Sequence, residues 1–276
     1  MKTKTFFKTT IISITAYAVA FVFAVPYLHM LTTATKPDDE LFMMPATYLP
    51  SDWQWVNFIQ TFENAPIGIY LRNSIIISLL ATLVVLVVAL PAAYYVARFK
   101  FRGKAIFLLL VLVTQMLSPV ALVVGIYREV VTLGLVNTYL SLVLVSAAFN
   151  LAFAIWIMAG FFASIPSEIE DAAFIDGCSR FMAMRKITIP LALPGIATAL
   201  IFTFIAAWNE FVIALTLTST VDRRPLTVGI NTFIGQYQVQ WNYLFAAAFI
   251  SIIPVVILFG SIQKWLVSGL TAGSIK

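Results

Sequence analysis

Residues 73–97 read NSIIISLLATLVVLVVALPAAYYVA, a run without one Asp, Glu, Lys, Arg or His. A hydrocarbon core about 30 Å thick needs roughly 20 consecutive apolar residues in helical form. The run shows no strict apolar/polar alternation, so it predicts a membrane-spanning helix and not a barrel strand. Working outward, five further stretches meet the same test, at about 11–32, 105–125, 139–162, 190–217 and 243–267. The expected fold class is therefore an all-α integral membrane protein with six transmembrane helices in a single domain over residues 1–276.

Composition agrees. Of 276 residues, 61% are hydrophobic and 11% charged, against about 45–50% and about 25% in soluble domains. That excludes an ordinary soluble enzyme and a disordered chain. The net charge is +5, but the basic residues are too dispersed for a phosphate-binding face, so no nucleic acid is expected as a partner. A lone Cys178 excludes a disulfide framework or a Cys-based metal site, and a lone His29 excludes a His cluster. No metal site and no catalytic residue are expected.

Charge sets the orientation. With six spans both termini share a side, and that side carries 12 of the 17 Lys and Arg, among them Arg98, Lys100, Arg180 and Arg185. The positive-inside rule puts it in the cytoplasm, predicting a multi-pass protein with both termini cytoplasmic and membrane lipid around it. Lys2, Lys4 and Lys8 before an apolar run also suit a signal peptide. The run exceeds a usual signal core and no A-x-A site follows, so an uncleaved first span is the expectation.

Two outer segments stand out. Residues 33–72 hold four prolines and Trp53, Trp55 and Phe58, which suits the headgroup zone. Residues 218–242 are polar and long enough to be functional, with a short re-entrant or surface helix over 226–237 as the plain alternative.

The informative inner loop, residues 164–189, reads SIPSEIEDAAFIDGCSRFMAMRKITI. Ser167 and Glu170 have capping-box spacing. Glu168 and Asp171 suit the positive end of a helix dipole, and Gly177 suits the residue that stops a helix. A short helix over 168–176 is expected, with Ile169, Ala172 and Ala173 on one packing face. A helix so short is marginal alone in water, so it needs a surface to pack on. A second helix over 180–188 is expected next, with Pro190 opening the fifth span.

Polar groups inside spans default to functional candidates. Glu210, flanked by Asn209 and Trp208, leads as a lining of a translocation path or an inter-subunit contact. Asn150, Gln115 and Ser118 are weaker and suit interhelical hydrogen bonds. Pro119 and Pro254 suit kinks, while Gly160 and Ala246–Ala248 suit close packing.

The run Asp171-Ala172-Ala173, then Asp176-Gly177, then Ile187-x-Ile189-Pro190 resembles the E-A-A-x-x-D-G … I-x-L-P signature of inner-membrane permease subunits of binding-protein-dependent ABC importers. Asp replaces the first Glu and Ile189 the Leu. Residues 207–211 (AWNEF) and 269–276 (GLTAGSIK) look like the carbohydrate-importer branch, the maltose-permease G-subunit type. The resemblance implies a permease domain that moves a sugar, di- or oligosaccharide, across the membrane. It implies four kinds of contact: a second homologous permease subunit, two ATP-binding cassette ATPase subunits, an extracytoplasmic sugar-binding protein and lipid. The 167–177 helix would be the coupling helix seated in the ATPase, with Ser167, Glu170, Asp171, Ala172, Ala173, Asp176, Gly177, Ile187 and Pro190 as the coupling set. The terminal stretch 271–276 is a second docking candidate. The outer loop before the last span would meet the binding protein, with Gly229, Gly235 and Gln236 as candidate contacts. No G-x-x-x-x-G-K-[ST] phosphate loop is present, so this chain is expected to bind no cofactor, ATP and Mg being used by the partner ATPase. The alternative is a secondary transporter or channel subunit without an ATPase, but its usual internal repeats and multiple intramembrane charges are not evident.

Overall fold

The computed structural model describes residues 2–272, with side chains over 9–265. Among these residues the regular secondary structure is helical, apart from an isolated bridge between Ile234 and Val239. The helices are α1 (Lys2–Ala34), α2 (Val56–Asn64), α3 (Ile67–Arg98), α4 (Lys104–Gln115), α5 (Pro119–Thr132), α6 (Tyr139–Ser164), α7 (Glu168–Ile175), α8 (Arg180–Ala183), α9 (Ile189–Leu191), α10 (Leu193–Trp208), α11 (Val212–Leu217), α12 (Leu226–Gly229) and α13 (Trp241–Ala272). Four of them, α1, α3, α6 and α13, are each long and apolar enough to cross a bilayer. The bent pairs α4–α5 and Arg180–Leu191 with α10 raise the number to six if each pair is one span.

Two of the expected spans are thus broken. Residues 105–125 do not form one helix: α4 stops at Gln115, and α5 begins with Pro119 in its first turn, turned by 96°. Proline has no N–H to continue the helix but suits its start, so Pro119 marks a break where a kink was expected. The fifth stretch opens at Leu193, after a 76° bend at Ala192, and not at Pro190; it ends at Trp208, ahead of the separate α11. Pro254, by contrast, lies inside a continuous α13.

The larger compact unit comprises Gly68–Gly229 with the chain from Pro254 onward. Its core is made where α3, α6 and α10 approach. Val85, Ala89 and Ala93 of α3 meet Ala154, Ile155, Met158 and Phe162 of α6 and Ala199 of α10. Without a hydrophobic drive between helices in lipid, small side chains give the close approach that dispersion needs. A second cluster joins Ile77 and Ala81 of α3 to Leu142 and Val143 of α6 and to Ile213, Ala214 and Leu217 of α11. α6 is apolar all round and touches both clusters. Its start is capped by Thr138, whose hydroxyl accepts from the Ser141 amide at 3.3 Å.

The smaller unit comprises the chain to Ile67 with Ile230–Ile253. Its residues 33–66 are folded, not draped along a surface. The Asn57 amide donates to the carbonyls of Ala34 (3.0 Å) and Lys36 (3.2 Å), and the Glu40 carboxylate accepts from the Ser51 amide. Asn242 and Tyr243, at the start of α13, donate to Asp38 (2.6 Å) and Gln60 (2.9 Å). Trp53, Trp55 and Phe58 form a stacked ladder whose last ring meets Phe249 edge-on. Residues 9–23 of α1 are exposed on every side.

Among the expected packing positions, Ala246 and Ala247 are fully buried. Gly160 is exposed and approaches nothing within this chain, whereas a Cβ on Gly195 would lie 2.2 Å from Cγ of Phe161. Gly195→Ala should therefore destabilise the detergent-solubilised chain by about 1–3 kcal/mol through overpacking. Gly160→Ala should be neutral or stabilising by up to about 1 kcal/mol through helix propensity. Thermal melts of the two variants against wild type check the contrast.

Candidate functional site

The loop after α6 forms the short helix that the sequence predicts, with its last helical residue at Ile175 and Asp176 as the cap. Its end is a Schellman motif. Gly177, at φ +84°, donates to the Phe174 carbonyl (3.1 Å), and Cys178 donates to that of Ala173 (2.9 Å). Only glycine takes this left-handed conformation without penalty.

The expected capping box does not form. The Ser167 side chain makes no cap bond, although its carbonyl accepts from the amides of Glu170 (2.9 Å) and Asp171 (3.0 Å). Glu170 instead turns inward and is buried. Its Oε1 accepts from Arg98 Nε (2.8 Å) and from the Thr188 hydroxyl (2.6 Å), and its Oε2 from the Tyr94 hydroxyl (2.8 Å). A charged, multiply hydrogen-bonded partner set outcompetes one backbone N–H at an exposed helix end. Arg98 Nη1 also donates to the Ile165 carbonyl (2.8 Å), just ahead of α7.

The packing face is also set by Glu170. Ala173 lies one turn on and is buried, while Ile169 and Ala172 face outward with Glu168, Asp171 and Asp176. Ile175 is 86% exposed and Phe181 67%. The outward face of α7 is therefore acidic with an apolar stripe. On the inner side, the Arg180 guanidinium lies 5.0 Å over the Phe99 ring and 5.9 Å from that of Phe174, a cation–π bridge from the turn after α3 to the end of α7.

The expected second helix over 180–188 is shorter. Ser179 caps α8 by accepting from the Met182 amide (3.3 Å), and four residues later the chain widens into a π turn, Met184–Thr188. Such turns recur at functional sites. This one delivers Thr188 to Glu170. Ile187 is half-buried within it, and Pro190 is exposed in α9.

The other candidates are scattered. Glu210 is not inside a helix: it sits in the break before α11, where Oε1 accepts from the Ile213 amide (3.1 Å) and Oε2 from that of Ala214 (2.9 Å). It caps α11 as an anion at a positive helix end, and its carbonyl accepts from Thr227 (2.8 Å). Trp208 is buried and stacked on Phe204, Asn150 donates within its own helix to Ser146, and Gln115 reaches across to the Phe149 carbonyl (3.0 Å). Asn209 is exposed.

Gly229 is buried, and a Cβ there would lie 2.1 Å from Cδ2 of Tyr70, so it serves packing and cannot present a surface. The expected surface helix ends at Phe233. Beyond it Gly235 and Gln236 are exposed in a tight turn, where Gly235 donates to the Gln238 carbonyl (3.0 Å). Residues 273–276 of the second docking candidate lie outside the described residues.

Tyr94 and Thr188 carry no sequence expectation, and Arg98 and Arg180 enter the sequence reading only as charges that set orientation. Tyr94 and Arg98 stand four apart at the end of an apolar run, a spacing that puts both on one helix face. That was the available signal.

Burial by itself would raise the Glu170 pKa. The hydrogen bonds from Thr188, Tyr94 and Arg98, with the Arg98 charge, outweigh it and hold the carboxyl below its ordinary 4.5. A depressed acid stabilises the fold above its unfolded pKa and loses that contribution as pH falls through the folded value. The melting temperature of the wild type relative to Glu170→Gln should thus be flat from about pH 6 to 8 and shrink only below about pH 4.5. A difference that varied between pH 6 and 8 would contradict the geometry.

A family model described as binding-protein-dependent transport system inner membrane component matches residues 86–272. The chain is 34% identical over 272 residues to the trehalose/maltose transport system permease protein of Thermococcus litoralis, covering 98% of this chain and 97% of that protein. It is 36% identical over 251 residues to the sulfoquinovosyl glycerol transport system permease protein of Agrobacterium fabrum, covering 91% and 88%. Its fold resembles a chain of a bacterial ABC transporter involved in import of the acidic polysaccharide alginate, with a TM-score of 0.76, 22% identity, and coverage of 92% and 96%. The chain belongs to the family of inner membrane components of binding-protein-dependent transport systems.

Proposed function

We propose that this chain is the permease subunit of an ATP-driven importer that takes a di- or oligosaccharide from an external binding protein. The family match supports the importer, and the sugar-handling relatives at 34% and 36% identity support the substrate class. A channel or secondary transporter would have no use for a capped helix with an acidic, apolar-striped face turned outward.

The hydrogen bonds at the two ends of α3 support the six-span reading. At one end Asn73 donates to the carbonyls of Asp222 (3.0 Å) and Arg224 (2.9 Å) and accepts from Tyr139 (2.7 Å). At the other end Arg98 holds Glu170 and Ile165. A helix of 32 residues is about 48 Å long at 1.5 Å per residue, so these ends lie on opposite sides. The α5–α6 turn and residues 218–225 gather at one, the α3–α4 turn and the α7 loop at the other. The broken pair α4–α5 must then carry the chain across once, and so must the α10–α11 run. With α1 and α13 the spans number six, and the basic α7 side is cytoplasmic with both termini.

In this reading α7 seats in a cytoplasmic ATPase subunit. Asp171 and Asp176 meet basic groups, while Ala172 and Ile175 supply close apolar contact. The second permease subunit completes a path in which Asn209, Gln115 and the polar break at Glu210 face the cavity; irregular backbone at membrane depth belongs where it lines one. The exposed Gly235–Gln236 turn meets the binding protein. ATP and Mg are held by the ATPase pair.

The observation that carries this reading is the α7 face, exposed yet held rigid from behind. Ala172→Arg adds bulk and positive charge to that face without touching the buried side. It should insert and melt like wild type while losing co-purification of the ATPase subunits and sugar uptake in proteoliposomes. Retention of both by the purified complex would overturn the coupling role.

A further inference from the structure

The buried side of α7 holds a group that no contact with an ATPase explains. We propose that Glu170 is the joint of the transmission: with Arg98 and Tyr94 of α3 and Thr188 of the π turn, it locks α7 to α3 and to the lead-in of α10, so that these elements move as one. Glu170 is a positioning residue here and never touches the ATPase. The inference rests on the permease reading above.

Three separate elements share one carboxylate. Arg98 and Thr188 donate to Oε1 and Tyr94 to Oε2, at 2.8, 2.6 and 2.8 Å. Both charged partners are withdrawn from water, with side chains 12% and 5% exposed. Separating a buried ion pair leaves an uncompensated charge, which makes the pair hard to pull apart once formed. Arg98 grips twice, at Glu170 and, through Nη1, at the Ile165 carbonyl where the chain enters α7. The helix is therefore held at its entry and at its body by one guanidinium. The Arg180 contact with Phe99 and Phe174 adds a grip at the far end.

The partners are where the force would go. Tyr94 and Arg98 lie on the same helix as Val85, Ala89 and Ala93, which form the core against α6, and Tyr94 meets Phe162 of α6 edge-on. Thr188 is fully buried and precedes the 76° bend into α10. A push on the outer face of α7 thus reaches α3 and α10 together. The outward residues dock and Glu170 transmits, two roles on opposite faces of an eight-residue helix.

The test uses the complete transporter, this chain with its partner permease, its ATPase pair and its binding protein, in proteoliposomes. Glu170→Gln, Thr188→Val and the double variant are compared for ATPase co-purification, hydrolysis stimulated by sugar-loaded binding protein, and sugar moved per ATP. Thr188→Val removes one hydrogen bond without stranding a charge, so it remains informative if Glu170→Gln folds poorly. Each single variant should keep its ATPase subunits yet lose on the order of tenfold in stimulation and in sugar per ATP, the scale of one hydrogen bond to a charged group. The double variant should lose less than the product of the singles, because both act on the same carboxylate. Wild-type stimulation and stoichiometry in either single variant would overturn the joint. Loss of ATPase co-purification in Glu170→Gln and Thr188→Val alike would also overturn it, by making the residues part of docking. Failure of the wild-type complex to assemble or to be stimulated would instead overturn the permease reading and the joint with it.

Discussion

One buried carboxylate organises the end of the larger unit where α7 lies. Glu170 is the acid of the only ion pair among the described side chains, and it takes hydrogen bonds from three donors on two other elements. A charge withdrawn from water must be paired and hydrogen-bonded. That demand fixes the roll of α7, since only one orientation brings the carboxylate to Arg98. Every other property of the helix follows from that roll: Ala173 goes in, and Ile169, Ala172, Asp171 and Ile175 go out. The π turn at Met184–Thr188 fits the same demand, because it brings the Thr188 hydroxyl to Oε1.

The opposite end of α3 solves a similar problem with neutral groups. Asn73 is fully buried and ties its amide to two carbonyls of the 218–225 segment. Asn137, at φ +60°, accepts from the amides of Ser219 (3.0 Å) and Thr220 (3.2 Å). Here the polar groups being satisfied are mostly backbone, left open where helices stop. The loops at this end are thus held by amide side chains, and the loop at the other by a charge. Glu210 belongs to the same logic on a local scale: a break between α10 and α11 leaves open N–H groups, and its carboxylate takes two of them.

Much of this was legible. The long apolar runs at 73–97 and 139–162 emerged as α3 and α6 with ends within two turns, because span length is set by bilayer thickness and needs no partner. Gly177 was legible as a stop because only its backbone freedom suits the position. The breaks near Pro119 and Ala192 were not, since hydropathy averages over a window and remains high across a break of one to three residues. The capping box misled for a different reason. Ser167 and Glu170 have the spacing, but spacing says nothing of a competing guanidinium 72 residues away in sequence. Gly229 misled likewise: glycine in a polar loop suits a flexible surface, and only the position of Tyr70 shows that it makes room for a ring.

The sequence by itself determined the class of the molecule, the runs that can cross a membrane, and the motif that marks the family. Each depends on composition or on residues close along the chain, where helical geometry and solvent transfer act without reference to the rest. The tertiary structure alone decided which face of α7 is presented, where the spans break, and that Tyr94, Arg98 and Thr188 share one carboxylate. These depend on pairing buried polar groups across long sequence separations, and no local pattern encodes which distant donor will be within 3 Å.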